Sequence, residues 1–294
     1  MKKPEIDPKV YELYDEYCHS DMGRREFLKR AGGLTVVGGV SGIAMAHALL
    51  PDYVKAQTIS FTDKRIKPKY VEYDSPGGNS GKMRGYLVKP AGEGPFPSVL
   101  VVHENRGLNP HIEDVARRAA TEGFLALAPD ALSPLGGYPG NDDDGRTMQR
   151  TLDREKIFVD MKNGADFLRK HPLSNGKLGV TGFCFGGGVS NRLAVEMGPD
   201  LKVAVPFYGR AANSEAVSKI KAFLLVHYAE DDRRVNAMRP EYEKALKAAG
   251  VDYEMHTYEG TKHGFHNNST LRYNETAAKL AWKRTIAAFN KYLS

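Results

Sequence analysis

A cysteine set among glycines is the first feature of this chain that could do chemistry. Cys184 stands in Gly182-Phe183-Cys184-Phe185-Gly186-Gly187-Gly188. The apolar run Lys177 to Thr181 reads as a buried strand, and Val189 to Met197 reads as a helix. The thiol therefore falls on a sharp strand-to-helix turn. Small residues two places before and two places after it are what such a turn needs, because a Cβ there would meet the neighbouring backbone. A thiol at that corner sits at a helix N-terminus, whose free N–H groups and partial positive charge favour the thiolate. The bland alternative is a buried apolar cysteine beside a glycine-rich turn.

The pattern resembles the nucleophile elbow of the α/β-hydrolases, with Cys where Ser is usual. That resemblance implies an acid and a base further along the chain, in that order. A strand ending at Val226 runs into Ala229-Glu230-Asp231-Asp232-Arg233-Arg234-Val235, and the form Gly-x-x-Asp-x-x-Val of the superfamily, with Ala229 in the Gly position, points to Asp232 ahead of Asp231 or Glu230. The last strand runs into His263-Gly264-Phe265-His266 before the closing helix. His263 is the expected base and His266 the runner-up. Cys184, Asp232 and His263 then follow the order nucleophile, acid, base. His103 and His227 end strands at the same edge and could line the site.

The elements needed to hold these groups are an alternating series of strands and helices. Tyr70 to Tyr73 and Met83 to Val88 flank the turn cluster Ser75 to Gly81 and read as an antiparallel hairpin. Ser98 to Val102 and Phe124 to Ala128 read as buried strands around a helix from Ile112 to Glu122. Ala131 to Arg146, with its prolines, glycines and the run Asp142 to Asp144, reads as a solvated loop that could rim the site; it lacks the ligand spacing of a calcium loop. Met148 to Lys170 reads as one long helix stopped by His171-Pro172. Strands follow at Leu201 to Val205, Ala222 to Val226 and Tyr253 to Tyr258, with helices at Met238 to Ala249 and Ser269 to Leu293, the last placing Trp282 and Phe289 on a core face. The expected class is α/β: a mostly parallel, doubly wound sheet with an N-terminal antiparallel hairpin.

At 294 residues and 41% apolar content the chain can bury a substantial core. Residues 1–57 carry eight basic and eight acidic side chains, so the net charge of +6 belongs to the remainder, where it is scattered. Nucleic-acid binding is not indicated. Cys18 and Cys184 do not form a disulfide framework. Gly23 to Lys29, with Arg24-Arg25, resembles a twin-arginine export signal; an uncharged run from Ala31 to Leu50 follows, and Val54-Lys55-Ala56 offers a peptidase site that would leave Gln57 as the new N-terminus. A cut after Ala46 is the alternative. The expected organisation is a leader over 1–57, handled by the Tat machinery and directing the protein to the periplasm, then one domain over 58–294. An uncleaved anchor or a cytoplasmic protein is the other possibility.

The elbow, the acid, His263-Gly264-Phe265 and Val102-His103-Glu104-Asn105-Arg106-Gly107 together resemble the dienelactone hydrolase (carboxymethylenebutenolidase) family over residues 69 to 292. The resemblance implies that Glu104 approaches the resting thiol and that the N–H groups of Asn105 and Phe185 form an oxyanion hole. It implies a small ester or lactone as substrate, a thioester intermediate, and no metal or organic cofactor. The two arginines with which that family holds a substrate carboxylate are not visible at their usual places, where this chain reads Pro129 to Pro134 and His263 to Asn267. A hydrolase fold kept as a non-catalytic binding protein is the rival reading. The number of subunits is not legible.

Overall fold

A computed structural model describes residues 6–20, 22–34 and 41–294. Eight strands form one sheet in the order β1-β2-β4-β3-β5-β6-β7-β8. They are β1 (Ile66–Ser75), β2 (Gly81–Pro90), β3 (Phe96–Val102), β4 (Leu125–Pro129), β5 (Ser174–Phe183), β6 (Leu201–Phe207), β7 (Phe223–Asp231) and β8 (Tyr253–Lys262). The expected hairpin is β1 with β2, in register from Ile66 opposite Pro90 to Ser75 opposite Gly81. β2 also pairs antiparallel with β4, and every pair from β3 onward is parallel. This is the α/β-hydrolase fold.

The central strands are apolar because both faces are covered. The helices are α1 (Pro8–His19), α2 (Arg24–Gly32), α3 (Gly42–Ala48), α4 (Tyr53–Ala56), α5 (Pro110–Thr121), α6 (Asp142–Thr151), α7 (Arg154–Arg169), α8 (Phe185–Glu196), α9 (Arg233–Asn236), α10 (Arg239–Ala249) and α11 (Glu275–Leu293). On one face Ile157, Phe158 and Met161 of α7, Leu193 of α8 and Leu246 of α10 pack against Leu100, Val180 and Leu224. On the other, Ile112 and Val115 of α5 and Phe289 and Leu293 of α11 pack against Val99, Val101, Val203 and Val205. Each such side chain contributes about 2 kcal/mol by leaving water.

Three helical expectations need correction. The segment Ala131 to Arg146 is not all loop: Asn141 caps α6 by accepting from the Asp144 N–H at 2.9 Å, and Asp142 to Asp144 form the first turn, where carboxylates meet the positive end of the helix. The helix expected over 148–170 is two, because Asp153 turns its carboxylate onto the N–H groups of Glu155 and Lys156 and starts α7 afresh. The closing helix begins at Glu275, capped by Asn274, and not at Ser269. Phe289 is fully buried, whereas Trp282 is only partly so.

The N-terminal residues form a cluster of their own. Val10, Tyr14, Tyr17 and Cys18 of α1 pack with Phe27 and Ala31 of α2, and with Met45, Ala46 and Leu49. The cluster is seated on the sheet's helices. Tyr17 donates to Asp143, the Arg146 guanidinium donates to the carbonyls of Tyr17 and Met22, and the Asp52 N–H donates to the Ser269 carbonyl at 2.7 Å. The middle of the apolar run expected here, residues 35–40, lies outside the described residues. Among the described residues no helix is long and apolar enough to cross a membrane.

Candidate active site

The carboxyl ends of β3, β5, β7 and β8 converge on one edge, where ligands bind in open α/β sheets. Cys184 follows β5 with φ 54° and ψ −109°, and it is the N-cap of α8. A non-glycine residue in that region is strained, and the surroundings show what holds it there. A Cβ on Gly182 would lie 2.2 Å from the Gly186 carbonyl oxygen, and one on Gly186 would lie 2.3 Å from that of Val102. The glycines expected from the spacing are thus required by backbone on both sides.

Asp232 and His263 come together beside the thiol. His263 Nδ1 donates to Asp232 Oδ2 at 2.5 Å, and both side chains are almost wholly enclosed. Asp231 pairs instead with Lys262, and Glu230 accepts from the Gly260 N–H at 2.8 Å, which separates the three acids that the sequence left in competition. With Nδ1 bound to the carboxylate, His263 turns Nε2 toward Cys184, and Nε2 is buried with no hydrogen-bond acceptor or donor of its own. The nitrogen and Cys184 Sγ lie within 4.8 Å of each other. The Tyr208 ring, at a residue with φ 36°, closes over His263 with ring centres 4.9 Å apart.

Burial pushes the Cys184 thiol up, but the charge of His263 and contacts with the His19 and His263 imidazoles more than reverse it, to about 5. Burial pushes His263 down, and the Cys184 thiolate and Asp232 raise it to about 9.

Phe185 opens α8, so its N–H has no acceptor within the helix. Asn105 lies in the turn after β3, its side-chain Nδ2 donating to the Cys18 carbonyl at 2.9 Å. Glu104 is buried and accepts from Asn267 Nδ2 at 3.1 Å. Burial raises its carboxyl, and Arg106, His111, Arg272 and His263 hold it below its ordinary value, so it is ionised. Three further histidines that the sequence placed near this edge are held by contacts within the fold. His103 donates from Nδ1 to the Glu104 carbonyl and accepts at Nε2 from the Ala131 N–H at 3.1 Å. His227 meets Tyr258 and Thr285, and His266 stacks on Phe183, ring centres 4.9 Å apart.

Sequence reasoning missed the contribution of the N-terminal segment. His19, the last residue of α1, places Nε2 3.7 Å from Cys184 Sγ. Its Nδ1 donates to the Asp15 carbonyl at 2.8 Å and lies 3.3 Å from the Asp15 carboxylate. Arg234 Nη2 donates to His19 Nε2 at 2.9 Å. Next to it, Arg106 donates to Cys18 Sγ at 2.9 Å and to Asp142 at 2.7 Å. Arg272, also missed, lies buried under Tyr14 with Nε and Nη1 unpartnered. The only local signal for His19 was a histidine four residues after an aspartate in a helical pattern.

An eight-stranded sheet of this order, with a cysteine on the sharp turn after β5 and an Asp–His pair on the loops after β7 and β8, defines an α/β-hydrolase fold. The model of the dienelactone hydrolase family matches residues 83–293, and the chain belongs to that family. A YqhI-like family model matches residues 1–36. The chain is 32% identical over 252 residues to a Saccharolobus solfataricus protein named as a carboxymethylenebutenolidase, covering 74% of this chain and 95% of that one. It is 56% identical over 115 residues to the Escherichia coli hydrolase fragment YghX, covering 39% and 97% respectively. The crystal structure of a Klebsiella pneumoniae protein described as a dienelactone hydrolase is similar at TM-score 0.66 and 27% identity, covering 76% of this chain and 99% of that one. The chain is an enzyme of the hydrolase class.

Proposed function

We propose that this enzyme hydrolyses small carboxylic esters or lactones through a Cys184-His263-Asp232 triad and a thioester intermediate. The observation that carries the reading is the buried 2.5 Å bond from His263 to Asp232 beside a thiol strained onto an elbow. The Cys184 thiolate attacks the carbonyl carbon, and the carbonyl π pair moves onto oxygen, where the N–H groups of Phe185 and Asn105 receive it. One such donor contributes on the order of 3 kcal/mol to the transition state. Collapse expels the alkoxide, which takes the proton from His263 Nε2. The acyl group is then on sulfur. His263, now neutral and aligned by Asp232, takes a proton from water as it attacks the thioester, and acid and thiolate are released. Glu104, fixed by Asn267, supplies a standing negative charge that helps to hold the Tyr208 hydroxyl protonated.

Incubation with an activated aryl ester, an acid quench and mass spectrometry test this reading. The expected result is a mass increase of one acyl group on Cys184 and loss of hydrolysis in Cys184→Ala; full activity in that variant would overturn it. A panel of esters and lactones, with and without a free carboxylate, asks whether buried Arg106 and Arg272 serve substrates of that kind. Export through the twin-arginine route is a separate proposal, and a cut that left Gln57 as the N-terminus would remove α1 and with it His19. Export is supported only by the Arg24-Arg25 pattern and its flanks, and fractionation with N-terminal sequencing tests it.

A further inference from the structure

We infer that His19, Cys184 and His263 form a zinc site through which a divalent ion reversibly silences the thiol. The silencing half rests on the proposed role of Cys184, whereas the binding half does not. Among the described residues, Nε2 of His19, Sγ of Cys184 and Nε2 of His263 all lie within 4.8 Å of one another. In a tetrahedral site with Zn–N of about 2.05 Å and Zn–S of about 2.3 Å, nitrogen and sulfur sit about 3.6 Å apart. The His19–Cys184 separation, 3.7 Å, already has that value. The widest separation in the trio, up to 4.8 Å, has to shrink by about 1.2 Å if it is nitrogen to sulfur and by about 1.5 Å if it is nitrogen to nitrogen.

The surroundings of the two imidazoles strengthen the assignment. A metal-bound histidine donates its other ring N–H to a carboxylate or a backbone carbonyl, which fixes the tautomer and aims the lone pair. His263 does this with Asp232, and His19 does it with the Asp15 carbonyl. Both Nε2 atoms therefore face the sulfur. His263 Nε2 has no partner within hydrogen-bonding distance, and His19 Nε2 already accepts from a cationic donor, Arg234. That guanidinium stands on an exposed side chain, so it can leave when an ion takes its acceptor. One thiolate and two imidazoles suit zinc, with the fourth position left to water. The thiolate pair is then bound to the metal and is no longer free to attack a carbonyl. The site depends on the N-terminal segment, since His19 is the ligand that lies outside the triad.

The test uses the full chain, stripped with chelator and titrated with cobalt and then zinc. The expected result is one cobalt per chain with a thiolate-to-cobalt charge-transfer band, displaced by zinc, and ester hydrolysis lost with zinc and regained with chelator. Measured against its own rate in chelator, His19→Ala should need about 100-fold more zinc for half inhibition. Arg234→Met should need less zinc than the wild type. Cobalt binding without the thiolate band, or equal zinc sensitivity in the wild type and His19→Ala, overturns the site and leaves the hydrolase reading standing. A normal cobalt band together with full hydrolysis in Cys184→Ala does the reverse.

Discussion

His263 and His19 reach the same sulfur from opposite ends of the chain, each backed by an aspartate, and they are held very differently. His263 sits in the turn after β8, donates to a carboxylate at 2.5 Å, and leaves only about a twentieth of either side chain exposed. His19 ends a helix that carries its own partner four residues earlier, and that partner's side chain is 49% exposed, with the carboxylate 3.3 Å away. A buried, directly bonded aspartate fixes one imidazole tautomer and stabilises the charged ring. A solvated one contributes little, as exposed ion pairs generally do. The first pair has the geometry that proton transfer needs, and the second, more loosely held, sets an imidazole beside the thiol and helps to lower its pKa.

The largest expected difference follows from removing the carboxylates. Asp232→Asn should lower kcat by on the order of 10⁴-fold through loss of the aligned tautomer. A fall below tenfold under steady-state assay would place proton transfer elsewhere.

The next difference is one of pH. A thiol depressed to about 5 is lost as thiolate when pH falls through that value, and a histidine raised to about 9 loses its proton when pH rises through it. The thiolate–imidazolium pair therefore persists between the two. Iodoacetamide alkylation of Cys184 should stay fast down to about pH 5 in the wild type. In His263→Ala the midpoint should climb toward ~8.5, the ordinary thiol value. A wild-type midpoint already near ~8.5 would count against the pair.

Smaller effects belong to the N-terminal partner. With chelator present, His19→Ala should change kcat by less than about tenfold, and Asp15→Asn by no more than about twofold, since its carboxylate is exposed. A loss in Asp15→Asn equal to that in Asp232→Asn would erase the contrast between the two pairs.

The sequence made the body readable because its requirements are local. A β-branched run, a cap or a glycine at a crowded turn is written within a few residues, so the strands, the elbow and the loop of Asp232 and His263 could be placed from spacing. Only a superfamily pattern separated Asp232 from Asp231, and in the structure it is Asp232 that bonds His263 while Asp231 pairs with Lys262. The break at Asp153 was written as a cap yet hidden by the helical pattern on both sides. His19 was not readable: its contact with Cys184 joins residues 165 apart and leaves no periodicity. The N-terminal run was read for its charges and small residues, which carry no record of what Tyr17 or Cys18 packs against.

The seating of α1 on the body also has a consequence for the order of synthesis. Domains made on the ribosome fold from the N-terminus as they emerge. Here the partners of Tyr17 lie 126 and 129 residues further on, and that of His19 lies 215 further on. α1 can therefore complete its contacts only after residues 143, 146 and 234 have been made, and until then the thiol lacks His19.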